Sequence, residues 1–159
     1  MPNLNEEQIL ELLQQVDIFE GIDALSLLAL KQYFKENRFP KDHVIFEEGS
    51  IGDSMMLIAD GEVRVSQRPE PQGEETLMIL KKGDIFGEMS LLEDLPRSAV
   101  IIAHTDVTAL EIHRRDFLTF IETHSHHGVK ILLKMGRTLS SRLREANAKF
   151  TLFASLSQW

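Results

Sequence analysis

The 159-residue chain contains no cysteine. Disulfides, zinc-thiolate centres and cysteine nucleophiles are thereby excluded, and the composition fits a reducing compartment. Basic residues are the minority, 17 Lys and Arg against 25 Asp and Glu, which leaves a formal charge of −8. Nucleic acid is bound chiefly through clustered Lys and Arg, so a nucleic acid partner is not expected. A single small anion needs only a local positive site. No apolar run approaches the roughly 20 residues of a membrane helix, and no N-terminal segment resembles a signal peptide, so a soluble, cytoplasmic protein with no membrane partner is expected. Catalytic signatures are also missing: no nucleophile has an evident base, and no paired carboxylates stand in a recognisable frame. His124, His126 and His127 cluster, but they fall after the last expected strand, and His43, His104 and His113 are isolated. A solvated helix start is expected there rather than a metal centre.

What is present reads as one domain over residues 1–159, large enough to bury a core without cross-links. Asn5, followed by Glu6 and Glu7, is an N-cap with an acidic first turn, and Ile9, Leu10, Leu12, Leu13 and Val16 give the helix an apolar side. Asp23 caps a second helix whose Leu25, Leu28, Leu30, Tyr33 and Phe34 are too apolar to face water all round. N-terminal helices are thus expected over about residues 5–36, and from about 39 to 112 short apolar runs alternate with turns, the pattern of many antiparallel strands. Asp60-Gly61 is expected to be a tight hairpin turn, Pro69 to Glu75 a hairpin tip and Lys82-Gly83-Asp84 a further turn. Seven or eight strands without crossover helices predict a mainly β fold, a sandwich or rolled jelly roll with flanking helices.

C-terminal helices are expected over about 114–150, the longer from about His127. In it Val129, Leu132, Gly136, Leu139, Leu143, Ala146 and Phe150 are spaced 3, 4, 3, 4, 3, 4. That spacing suits a coiled-coil seam of a homodimer or a stripe packed on the protein's own strands, and it does not choose between them. In the tail, residues 151–159, Leu152, Phe153, Leu156 and Trp159 are expected to fold back onto the domain, with partner docking the alternative.

The stretch Phe86-Gly87-Glu88-Met89-Ser90-Leu91, continuing to Pro96-Arg97-Ser98-Ala99, is built to hold a ligand. Gly87 lets backbone approach a bound group, and Glu88 to Leu92 read as a short helix whose first amides lack carbonyl partners, an arrangement that attracts anions. Pro96 fixes the approach to Arg97, whose planar fork of donors suits a phosphate, and Ser98 adds a hydroxyl. Taken singly, Glu88 is a charge at a helix start and Arg97 a partner for Glu93 or Asp94; their joint spacing is the specific signal.

This order, Gly-Glu-x-Ser-Leu, four residues and Pro-Arg-Ser-Ala, resembles the phosphate-binding cassette of the cyclic nucleotide-binding domain family. The resemblance runs from about Val16 to Phe150 and includes Val44 to Ile58 and Gly61-Glu62-Val63, with departures at Ser50, Met56 and Ser90. It implies an antiparallel β-roll (a double-stranded β-helix) with N-terminal helices and a long C-terminal helix, and a sensor rather than an enzyme. It implies a ligand, cAMP or cGMP, and no cofactor: cyclic phosphate on Phe86 to Leu91, Arg97, Ser98 and Ala99, ribose on Glu88, and the base under the last helix, where Arg142 is the candidate lid. The switch would act on an unknown protein effector. With nine residues after Phe150, a helix-turn-helix output domain is not expected. The alternatives are an interaction module that keeps the roll without nucleotide, or a metal-dependent jelly-roll enzyme.

Overall fold

The computed structural model describes residues 3–67 and 73–156. Two helices open it, α1 (Glu6–Gln15) and α2 (Ala24–Lys31), joined through a 3-10 turn at Asp17–Phe19. Asn5 and Gln8 form a reciprocal capping box at α1, and the Asp23 carboxylate caps α2 by accepting from the Ser26 amide. Eight strands follow: β1 (Lys35–Phe39), β2 (Val44–Phe46), β3 (Ser54–Asp60), β4 (Glu62–Gln67), β5 (Glu75–Lys81), β6 (Ile85–Phe86), β7 (Val100–Ala103) and β8 (Val107–His113). The one-turn helix α3 (Met89–Leu92) lies between β6 and β7, and α4 (Arg114–Thr123) and α5 (Ser125–Leu156) close the fold.

The strands form two antiparallel sheets, β1-β8-β3-β6 and β2-β7-β4-β5. This is the antiparallel roll expected, with a different path at two places. Asp60-Gly61 is not a hairpin: β3 pairs with β6 and β8, whereas β4 pairs with β5 and β7, so the turn is a corner that carries the chain from one sheet to the other. Gly61 has φ 83°, and a Cβ there would lie 2.1 Å from the carbonyl of Asp106 in the corner between β7 and β8, so both backbone angle and close approach demand glycine. The second correction is β1. Residues 35 and 36 fall within the expected helical segment, yet Lys35 to Phe39 pair with Glu111 to Val107 of β8. The run Lys-Glu-Asn-Arg-Phe carries too little apolar alternation to announce a strand; its partner decides it. The Lys82 to Asp84 turn is another corner, and β4 and β5 form the expected hairpin, whose tip at residues 68–72 lies outside the described residues.

β3 is the central element. Met55, Leu57 and Ala59 face the helices, packing with Leu13, Phe19, Phe117, Phe120, Ile131 and Met135, while Met56 and Ile58 face the second sheet with Val63, Phe86, Ile101 and Ala109. Burial on both faces explains its unbroken apolar run. α5 turns Ile131 and Met135 inward, both fully buried. The heptad stripe therefore lies beside the packed face: Val129, Leu143 and Phe150 are 57%, 62% and 75% exposed, and Leu132 is exposed as well. The tail does not fold back over its described part. α5 continues to Leu156 with Leu152 exposed, and Trp159 and the side chains of Phe153 and Leu156 lie outside the described residues.

Candidate functional site

α3 is too short to be stable by itself, and its surroundings hold it. Gly87 enters the turn at φ 76°, the amides of Ser90 and Leu91 are taken by the Gly87 and Glu88 carbonyls, and the buried Leu91 side chain pins the turn to the helical core. The anion-attracting amides of this turn are thus those ahead of Ser90. Leu91 anchors the cassette rather than lining its cavity.

Arg97 runs back under the turn and is 7% exposed. Its Nη1 donates to Ser54 O at 2.8 Å, Ser90 Oγ at 3.0 Å and Gly87 O at 3.3 Å, and its Nη2 to Ser54 Oγ at 3.3 Å. The guanidinium carbon sits 3.6 Å from the centroid of the Phe46 ring, a cation-π contact. It does not pair with Glu93 or Asp94; Asp94 is taken by Arg114. Burial pushes the Arg97 guanidinium below its ordinary pKa, while the carboxylates of Asp53, Glu111 and Glu88 push it back up without hydrogen-bonding to it. Among the described residues this buried cation has only neutral hydrogen-bond acceptors. The turn between β2 and β3 is stitched to it by backbone bonds, Gly49 N to Arg97 O and Arg97 N to Ser50 O, both 2.8 Å. That pairing brings Gly52 so close that a Cβ there would lie 2.2 Å from Arg97 Nε.

Glu88 is 4% exposed and is already partnered. Arg142 of α5 donates from Nη1 to Glu88 Oε1 at 2.6 Å and from Nη2 to Ile85 O at 3.0 Å. A buried carboxylate requires such a partner. Arg142 is therefore drawn to the Glu88 carboxylate, 54 residues away in sequence.

Around these groups is a cavity of about 660 Å³. Phe86, Gly87, Glu88, Met89, Ser90, Arg97, Ser98, Ala99 and Arg142 all line it, and so do Val65, Met78, Leu80, Leu139, Leu143 and Ala146. Charge is gathered at the cassette end, and the wall made by β4, β5 and α5 is largely aliphatic. Sequence reasoning missed Phe46, Gly52 and Ser54, which seat Arg97, and the strand residues of the wall. The alternation Val63, Val65 along β4 could have signalled the wall; nothing local signals that Ser54 receives Arg97.

A profile of the cyclic nucleotide-binding domain family matches residues 36–124, which include the whole cassette. The chain belongs to this family. It is 30% identical over 137 residues to the CRP-like cAMP-activated global transcriptional regulator of Mycobacterium tuberculosis, a match covering 86% of this chain and 59% of that protein. A cyclic nucleotide-binding domain from Methylobacillus flagellatus superposes with a TM-score of 0.78 at 28% identity, covering 90% of this chain and 80% of that one. The catabolite activator protein of Thermus thermophilus gives 0.74 at 33% identity, covering 86% and 62%. The chain spans about 60% of the length of the CRP-like regulator and the cyclic AMP receptor protein it matches, and 28% or less of the kinase and channel relatives.

The histidine cluster is less solvated than expected. His127 has a side chain only 16% exposed and hydrogen-bonds through Nε2 to Asp23, and His124 stacks on Phe120. Among the described residues no group of three or more His, Asp or Glu side chains could hold a metal ion, and no helix is long and apolar enough to cross a membrane.

Proposed function

We propose that this chain is a cyclic nucleotide sensor and not an enzyme, binding cAMP or cGMP in the cavity between the cassette and α5. The observation that carries the reading is Arg97, a buried cation with no carboxylate hydrogen-bonded to it among the described residues and open to a cavity large enough for a nucleotide. In this reading the cyclic phosphate meets Arg97, Ser98 and the backbone of Phe86 to Met89 with Ser90 and Ala99. The ribose 2′-hydroxyl donates to Glu88, and the base lies on the aliphatic wall beneath Arg142. A cation among neutral acceptors favours an anion, and a carboxylate in the same cavity selects one that carries a hydroxyl donor.

The same reading supplies a switch. Glu88 is the ribose acceptor and also the carboxylate that holds α5 through Arg142. A ligand that shares or takes Glu88 changes the hold on α5, and that differential contact shifts the population of α5 arrangements. The output passes to a protein effector in the cytoplasm, and the exposed part of the stripe away from the cavity, Val129, Leu132 and Phe150, seats the α5 of a second copy.

Calorimetric titration with cAMP, cGMP and their 2′-deoxy analogues tests the reading on wild type and Glu88→Gln. Wild type is expected to prefer a ribonucleotide at least tenfold, about 1.4 kcal/mol, because the deoxy ligand strands a charged acceptor. Glu88→Gln narrows that gap. A folded wild type that binds neither nucleotide refutes the sensor and leaves an interaction module that uses its exposed α5 face.

A further inference from the structure

Arg114 opens α4, where a cation faces the positive end of the helix dipole. Its side chain, 19% exposed, turns away to the far end of α3. There Nε donates to Ser90 O at 2.7 Å, Nη2 donates to Glu93 O at 2.7 Å, and Nη1 pairs with Asp94. These are the carbonyls that a one-turn helix leaves without partners, and a guanidinium is well shaped to collect two of them together. The Arg114 backbone amide donates to Asp53 O at 2.6 Å, one residue before the Ser54 that seats Arg97.

Ser90 therefore stands between two arginines: its hydroxyl accepts from Arg97 and its carbonyl from Arg114. Behind Arg114, Phe117 and Phe120 of α4 are buried with Ile131 and Met135 of α5 in one cluster. The two helices also meet without slack, since a Cβ on Gly128 would lie 2.7 Å from Ile121 Cγ2. A displacement of α3 passed through Arg114 thus reaches α5 through close-packed side chains, which transmit strain rather than absorb it.

We propose that Arg114 is a positioning residue that clamps the cassette turn to the α4-α5 pair, so that a change in the grip of Arg97 on Ser90 is passed to α5. The transmission rests on the nucleotide reading above; the clamp does not. Hydrogen-deuterium exchange on the full chain separates the two, comparing wild type, Arg114→Met and Arg114→Lys, each without ligand and with saturating cAMP or cGMP. Without ligand, Arg114→Met is expected to speed exchange of the Leu91 and Glu93 amides at least tenfold while β3 and β8 stay protected, and Arg114→Lys, a point charge reaching one carbonyl, to fall between. With ligand, the Met variant gains protection at the cassette but loses the exchange change that ligand causes in α5 of wild type. Unchanged α3 exchange in a folded Met variant overturns the clamp, and an intact α5 response overturns the transmission. If the Met variant does not fold, the Lys variant is judged on the same two criteria. A wild type whose cassette gains no protection from either nucleotide refutes the sensor reading and the transmission with it, while the ligand-free comparison still decides the clamp.

Discussion

Gly52→Ala is the sharpest test of how Arg97 is seated. Gly52 is not in the left-handed region, so alanine meets no backbone strain there and gains about 0.4–1 kcal/mol from the less flexible unfolded chain. The added carbon would nevertheless lie 2.2 Å from Arg97 Nε and 2.5 Å from both Cζ and Nη2, about 0.9–1.2 Å inside ordinary contact at 3.4 Å. The guanidinium is the movable partner, being the end of a flexible side chain. A shift of that size takes Nη1 out of reach of Ser54 O at 2.8 Å and Ser90 Oγ at 3.0 Å, and weakens the contact with Phe46. Hydrogen bonds to a charged group contribute about 1.5–3 kcal/mol each, but a guanidinium that swings outward regains water. The expected net cost in stability is therefore about 1–3 kcal/mol. The cost in binding is larger, about a hundredfold or 2.7 kcal/mol, because the displaced cation no longer faces the phosphate position. Thermal melting and calorimetry with cAMP and cGMP read the two effects separately. A variant that melts above wild type and binds with wild-type affinity would refute the argument, since Arg97 would then not need its observed seat.

Three further outcomes are expected. Gly61→Ala places a Cβ 2.1 Å from the Asp106 backbone carbonyl at a φ of 83°, so urea unfolding should show a loss of about 2–4 kcal/mol; a loss below about 1 kcal/mol would mean the two corners are not in contact. Asp23 has its pKa lowered from 3.8 to about 2, first by the Ser26 amide, then by the Ser26 hydroxyl and His127. Its stabilisation is complete above pH 3.8 and is lost as pH falls through about 2, so Asp23→Asn, which keeps the cap, should flatten the fall in melting temperature in that window. An unaltered acid slope would contradict it. Leu132→Glu puts a carboxylate on the exposed stripe away from the cavity and should convert a dimer to a monomer in sedimentation; a dimer indifferent to the change, or a wild type that is already monomeric, would remove the α5 seam.

The sequence by itself determined the local chemistry. Gly87, Glu88, Arg97 and Ser98 were legible because a cassette is a short stretch whose residue types and spacing encode its turn and its donors. The turns at Gly61 and Gly83, the caps at Asn5 and Asp23, and the apolar run of β3 were legible for the same reason. Periodicity reports which face of an element is apolar, but not which other element covers it. Only tertiary structure could therefore decide that the Asp60-Gly61 turn joins two sheets, that Lys35 to Phe39 is a strand, and that the α5 stripe lies beside the buried face. The charges obey the same division. Arg97 reaches Ser54 across 43 residues and Arg142 reaches Glu88 across 54, because burial obliges each charge to find partners, and the packing of the roll and α5 chooses which partners are within reach.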